Sequence, residues 1–557
     1  MKSLAHWLAV GAVFLVSVFS SARADNFNVW PVDPLVNVFR DAPVGNDKEA
    51  VADVARGETA TFQIVARSSE PMTHLRCDVR PLASDGPVRR TIGLATVRFV
   101  GYVPVDKGCP NPAKDQLRKP PGDFPDPLLE QNEIDVKPND AQPIWITIKV
   151  PITVKAGVYR GEAKLHAEVG RSPQSQVVPL VLNVYDAVVD KSRLLVTNWF
   201  QMSNGPKPFP KKDSPLYWEL MRRYAIDMAE HRQNVARVAP LRLVEYSGPD
   251  DRLRFDFSEF DHWVQIFLAA GVNARIEGQQ FGWRKGDWNG PFVVSTYSVK
   301  SGKLEEIKVD PASPQAEQFY SQFLPALCNH LRERNWLRIY MQHLADEPVD
   351  ANADSYKAIA ALVKKYAPEL CTIDAGYTTK IAGAINIWVP HLNVFQQNYS
   401  FFQDRKKAGD DVWFYTCVAA QGEYANRYIE LPLIKTRLLH WINFKYGATG
   451  YLHWAYNFWD DDPFNHPTES REGGLFLPAG EAWIVYPGKD GVIDSIRFEA
   501  MRDGIADYEL FAELAEKDPK LAQELVTRHV LDFDKYDTNL PKFRETRREL
   551  LKRLSQR

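Results

Sequence analysis

The chain has 557 residues, 45% hydrophobic and 25% charged, with a formal net charge of −3, the make-up of a globular protein too long for one ordinary core. Near-neutral charge, with no Lys/Arg run interleaved with aromatics, excludes a nucleic-acid footprint. Five scattered cysteines, without a CxxC pair or an HExxH motif, exclude a disulfide framework and the common zinc sites, leaving Cys77 and Cys109 as a candidate bridge.

Lys2, the apolar run Leu8–Phe19 and the small-x-small triplet Ala22-Arg23-Ala24 predict a cleaved export signal over residues 1–24. The run is too short to cross a bilayer comfortably, so the mature chain is expected to start at Asp25 and to be periplasmic or secreted, without stable membrane insertion. Residues 25–190 carry β-branched residues in strand-sized pieces, such as Thr59–Ala66, Pro143–Val150, Gly157–Ala163 and Val177–Val184, separated by Gly, Pro and Asp clusters. That pattern predicts a β-sandwich, with Pro104–Pro127 as a long loop leaning toward the active site.

From Leu194 the pattern becomes strand, then helix, repeatedly. Candidate strands are Leu194–Gln201, Asn234–Val238, Val272–Glu277 and Trp336–His343, then Leu370–Ala375, Ile385–Val389, Asp411–Cys417 and Gly450–Tyr456. Amphipathic stretches such as Tyr217–Arg232, Phe260–Ala270, Gln315–Arg334, Asp354–Tyr366 and Leu433–Tyr446 lie between them. This predicts a (β/α)8 barrel over residues 191–515, since no strand is followed by the glycine-rich phosphate fingerprint of a doubly wound sheet. Ile496–Lys517 is expected to close the barrel, with Arg497, Glu499, Arg502 and Asp503 pairing to hold it to the rim. Residues 516–557 then form a charged helical appendage.

Barrels of this kind do their chemistry at the C-terminal ends of their strands. The fourth strand ends in His343, Asp346 and Glu347, and Pro348 stops it. One carboxyl can donate a proton while its neighbour stays ionised, which is what glycosidic bond cleavage requires. Trp388, Trp413, Tyr415, Trp454, Asn457 and Trp459 supply an aromatic-rich rim suited to sugar rings, with Arg232 and Asn234 as further polar candidates. His453 and Cys417 read as packing residues. Asp460-Asp461-Asp462 reads as a solvated loop, so neither a metal nor a cofactor is assigned.

Strand seven ends in Phe414-Tyr415-Thr416-Cys417, without the second carboxylate that common retaining barrel glycosidases use as nucleophile; the next acid is Glu423. A 2-acetamido group on the substrate can attack in its place. Asp346 would then accept the amide N–H and offset the oxazolinium charge, while Glu347, its pKa raised by Asp346, protonates the leaving oxygen.

The chain resembles glycoside hydrolase family 123, the retaining β-N-acetylgalactosaminidases. The resemblance rests on Asp346-Glu347-Pro348, on Trp413–Cys417 followed by Arg437 and Trp441, and on Gly450–Trp459. Tyr486–Gly491 and Ser495–Tyr508 carry it further. It implies substrate-assisted hydrolysis of terminal β-GalNAc on glycolipid or oligosaccharide glycans, with Asp346 and Glu347 as the catalytic pair. After Cys417 the chain departs from the family pattern, which would place a second cysteine and a proline-rich loop there. The rival readings are a related hydrolase acting on β-GlcNAc or another glycoside, and a non-catalytic carbohydrate-binding protein.

Overall fold

A computed structural model describes residues 27–85, 89–202, 209–300, 303–459, 462–470 and 474–556. The expected export signal and Asp460-Asp461 lie outside the described residues.

The N-terminal part is two layered sheets. One runs in the order Phe27–Val32, Thr59–Ser68, Ala141–Lys149, Ala95–Val105, Gly122–Leu129. The other is built around the long antiparallel pair Gly157–Val169 and Ser172–Val188. Phe62, Ile64, Ile144 and Ile146 of the first sheet meet Leu165, Leu180 and Leu182 of the second in one core. Gly157–Val169 alternates buried and open positions, as a strand with one wet face must. Ala141–Lys149 is buried on both faces, because Trp145, with Val100, Phe124 and Leu128 of its neighbours, joins the larger core of the C-terminal part. The expected Pro104–Pro127 loop is shorter, since Gly122–Leu129 pairs with Ala95–Val105. Residues between them dock on the segment after strand seven, where Cys109 N–H donates to Glu430 (2.9 Å) and Lys114 N–H to Glu423 (3.0 Å). Cys109 sits in that loop and Cys77 in a sheet strand, and both are free thiols, so the candidate bridge, which the sequence left open, is not formed.

The C-terminal part carries eight parallel strands in chain order. Val235–Val238, Arg275–Gly278, Tyr340–His343, Cys371–Gly376, Ile387–Pro390 and Asp411–Val412 form one ladder. Phe414–Tyr415, Gly450–His453 and Leu195–Asn198 form the other. The seventh strand, broken only at Trp413, belongs to both ladders. Between the first and second strands the Asn234 side chain takes the place of a ladder, accepting from Val196 N–H (2.9 Å) and donating to Leu194 C=O (2.8 Å).

Helices Pro215–Glu230 and Pro314–Glu333 follow the first and third strands, each starting at a capping serine (Ser214, Ser313) with proline at the first helical position. No helix separates the fifth and sixth strands, and an antiparallel pair, Phe292–Lys300 with Lys303–Val309, is inserted after the third.

Helix Ile496–Lys517 has the expected bounds, but its charges reach further than the rim. Arg497 forms a two-bond pair with Asp126 of the N-terminal sheets (2.8 and 2.9 Å), and Glu499 accepts from Arg98 (2.5 Å). The last helix, Leu540–Ser555, buries Phe543, Leu550 and Leu551 in the large core. Its buried Arg547 bridges Asp507 (2.7 Å) and Glu58.

Candidate active site

A cavity of about 580 Å³ opens at the C-terminal ends of the parallel strands, and Asp346 and Glu347 are the carboxylates that line it. Strand five fixes the turn that carries them. The buried Asp374 carboxylate accepts from Leu344 N–H (2.9 Å) and Ala345 N–H (3.2 Å), and Glu347 N–H donates to Ala375 C=O (3.2 Å). Arg284 donates to the carbonyls of Asp346 (2.9 Å) and Glu347 (2.6 Å). Glu347 itself stands at φ +51°, a left-handed conformation that a side chain with a Cβ disfavours and that these bonds hold in place.

Burial raises both carboxyl groups above the usual range, and the ionised neighbour adds to the effect on Glu347, which reaches about 7. His343, Arg237 and Arg284 act against the rise at Asp346, whereas Asp346 itself adds to the rise at Glu347, so Glu347 is the group that keeps its proton near neutrality. The Tyr415 hydroxyl donates to Glu347 Oε1 (2.5 Å), which aims the carboxyl and restrains its rise. Burial is therefore the larger cause of the Glu347 shift, with Asp346 second, whereas the sequence argument credited Asp346 alone.

Of the other expected site residues, Tyr415 and Trp454 line the cavity, with Trp454 Nε1 donating to Glu481 (2.7 Å). His343 lies beneath it, 1% exposed, with Nδ1 on Asp374 (2.8 Å) and Nε2 on Glu277 (2.7 Å). Burial alone would lower its pKa, but the two carboxylates lift it to about 9. It is a buried cation under the pair, not a wall of the pocket.

Trp388 faces outward, packed on Phe401 and Phe402 with its N–H on Asp410 (2.7 Å). Trp413 is buried in a cluster with Leu452 and Val235 and does not line the cavity. Asn457 exchanges hydrogen bonds with the backbone of Gln201 (2.8 and 2.9 Å), and Trp459 donates to Val485 C=O (2.7 Å). Neither lines the cavity. Arg232 and Asn234 precede strand two, which puts them at the end away from the pair. Arg232 donates to Gly57 C=O (2.7 Å), and Asn234 is occupied by strand one.

Residues absent from the sequence-based list complete the walls. Trp199 and Phe200 come from the end of strand one, Arg237 and Arg242 from strand two and its loop, and Gln279 from strand three. Arg237 was marked by a cation inside the apolar run Val235-Ala236-Arg237-Val238. Cys417, expected to pack, lines the cavity, and burial pushes its thiol well above the usual range, so it is no ready nucleophile. Glu423, the other acid near strand seven, does not reach the cavity.

Outside the cavity, Asp227, His231 and Asp494 bring potential metal-ligand atoms within 4.8 Å of one another. Arg98 already pairs with Asp494, and Tyr456 donates to Asp227, so protein groups balance that cluster.

The catalytic-domain model of glycoside hydrolase family 123 matches residues 214–514, and the family's N-terminal-domain model matches residues 40–167. Among solved structures, a family 123 glycoside hydrolase from Clostridium perfringens, described for glycolipid glycan hydrolysis, superposes with a TM-score of 0.73 at 16% identity. The match covers 95% of this chain and 97% of that one. A GH10 xylanase with a bacterial Ig-like domain, from termite gut, is much more distant, with a TM-score of 0.32 at 11% identity over 65% of this chain and 90% of its own. A search of curated proteins gives no match. The protein is a glycoside hydrolase. It belongs to family 123, as its motifs had suggested.

Proposed function

We propose that this protein is an exo-acting, retaining β-N-acetylgalactosaminidase that uses the 2-acetamido group of its substrate as nucleophile. We read the eight strands as a closed (β/α)8 barrel behind a β-sandwich, with the cavity at the barrel mouth. The observation that carries the mechanism is the carboxylate inventory: Asp346 and Glu347, adjacent in the chain, are the cavity's acids among the described residues. Two neighbours on one turn suit a stabiliser of the C2 acetamido group and an acid for the C1 leaving oxygen, since those groups are borne by adjacent carbons. A nucleophile facing an acid across the bond would need a carboxylate from another strand.

In this reading the acetamido oxygen attacks the anomeric carbon as the glycosidic bond breaks. Glu347, protonated near neutrality, gives its proton to the leaving oxygen, and ionised Asp346 accepts the amide N–H and offsets the oxazolinium charge. Glu347 then takes a proton from water, which opens the ring with net retention. Terminal β-GalNAc on glycolipid or oligosaccharide glycans is the expected substrate, in keeping with the glycolipid glycans of the Clostridium relative. No helix among the described residues is long and apolar enough to cross a membrane. With its expected leader removed, the enzyme would work in the periplasm or outside the cell, and mass spectrometry should find Asp25 at the mature N-terminus.

A screen of nitrophenyl β-GalNAc, β-GlcNAc and β-Gal tests the assignment. The acetamido sugars should react, β-GalNAc fastest, and the galactoside should be inert because its C2 hydroxyl cannot form the ring. A GalNAc-thiazoline should inhibit far more tightly than GalNAc. Brisk galactoside hydrolysis, or a glycosyl ester trapped on any Asp or Glu, would overturn the mechanism.

A further inference from the structure

Two arginines line the cavity with no carboxylate in contact among the described residues. Arg237 lies over the Trp199 ring, its guanidinium carbon 3.7 Å from the centroid, and among the described residues its side chain makes one long hydrogen bond, to Gln280 (3.5 Å). Its Nε is buried and unpartnered. Arg242, five residues on, is exposed and lines the same cavity. Among the described residues neither makes an ion pair or a hydrogen bond to a carboxylate. Buried Arg98, Arg497, Arg502 and Arg547 each bind one or two carboxylates, and buried Arg427 bonds Asn198, His453 and the Ala455 carbonyl, whereas Arg237 has no such set of partners. A guanidinium stays charged at any physiological pH; burial lowers the pKa of Arg237 to about 10, and Glu277 and Asp346 offset its charge through space without contacting it.

We propose that the glycan taken by this cavity carries an oxyanion, either a sulfate ester on the amino sugar or the carboxylate of an adjoining acidic sugar, which rests on Arg237 and Arg242. A planar guanidinium fork matches both groups bidentately, where a neutral hydroxyl would use one bond. Trp199 supports this by holding the Arg237 plane in place before the ligand arrives. Arg242, at the wetter edge, suits a group that keeps part of its hydration. Arg284 makes no such demand, because it is occupied by the carbonyls of Asp346 and Glu347.

The proposal rests on the glycosidase reading above, and its test separates the two. Hydrolysis of nitrophenyl β-GalNAc is compared with that of its 4-sulfate and 6-sulfate. In a second arm, β-GalNAc linked to glucuronate is compared with β-GalNAc linked to galactose. At low salt one anionic member should exceed its neutral counterpart at least tenfold in kcat/KM, and salt should erode the advantage. Arg242→Gln should bring that ratio close to one and Arg242→Lys should keep part of it, a readout from which a general folding defect cancels. The arm that shows the preference identifies the source of the oxyanion. Equal or slower reaction of every anionic member, with a ratio unmoved by Arg242→Gln, would overturn the proposal while leaving the hydrolase assignment standing. If no glycoside is cleaved, calorimetric titration of Glu347→Gln with GalNAc 6-sulfate, GalNAc 4-sulfate, the glucuronate disaccharide and GalNAc decides the matter alone. Tighter binding of an anionic ligand that Arg242→Gln abolishes supports it, and equal binding refutes it.

Discussion

At the scale of single residues, protonation of the adjacent acids governs the expected chemistry. Glu347 must keep its proton and Asp346 must lose its own, so kcat/KM should describe a bell. The alkaline limb should fall near pH 7, where Glu347 ionises, and the acid limb should lie above the usual aspartate range, because burial raises Asp346. Tyr415 donates to the carboxyl and so favours its ionised form; Tyr415→Phe should therefore move the alkaline limb upward. A limb that stays in place or moves down would remove Glu347 as the acid. Glu347→Ala should cost about 10²–10⁴-fold on natural linkages and much less on nitrophenyl glycosides, whereas Asp346→Ala should hurt both alike. The place of the pair was legible in the sequence, since an apolar run followed by two acids and a proline puts the acids at a strand end, although solvated loop acids would look the same. Gln279 was not legible as a site residue, and the cation inside Val235–Val238 marked Arg237 as unusual without saying which cavity it faces.

Elements were legible where periodicity is strong. All eight parallel strands and helix Leu433–Tyr446 fall where apolar spacing puts them, within a few residues. Facing within a strand was harder to read. Ile387 and Val389 point inward, so Trp388 between them must point outward, and a list drawn from strand ends alone cannot respect that period of two. Trp388→Phe should accordingly leave KM unchanged, while Trp454→Ala should raise it; the reverse result would mean that the sugar lies elsewhere. Asn234 was read as a sugar contact but stands in for a stretch of backbone ladder. Asn234→Ala leaves Val196 N–H buried without its partner and should cost about 1–3 kcal/mol in denaturant unfolding, with little change in sugar affinity.

Across the whole molecule, buried ion pairs join the N-terminal sheets to the C-terminal part. Asp507 accepts from Arg437 (2.7 and 3.0 Å), Arg547 (2.7 Å) and Trp441 (3.0 Å). Burial alone would raise Asp507, but Arg437 and Arg547 hold it at about 2. Its contribution to stability is therefore complete above the ordinary aspartate pKa near 4 and is lost as pH falls toward 2. Arg547→Ala strands Asp507 and Glu58 without that cation and should cost about 3–5 kcal/mol, enough to lower the melting temperature clearly. A smaller loss than a surface Arg→Ala control would show that the junction carries no such weight. Ion pairs on helix Ile496–Lys517 were expected from the sequence, but their partners in the N-terminal sheets were not, because Glu58 and Arg547 lie 489 residues apart and each alone looks like a surface charge.

The pairing of Arg544 with Asp33 and of Arg547 with Glu58 also bears on how the molecule is made. Those contacts join residues about 500 positions apart, so the N-terminal sheets, made first, wait for helices Ile496–Lys517 and Leu540–Ser555, which pack on Gly122–Leu129 and on Ser172–Val188, before they are covered. Until then Trp145 and its neighbours offer an unsheathed apolar surface, the condition under which nascent chains clump or recruit chaperones. Refolding from denaturant should consequently be slow and concentration-sensitive. A separately added peptide of residues 540–555 should speed recovery of a chain truncated before it, provided that helix completes the fold rather than decorating it.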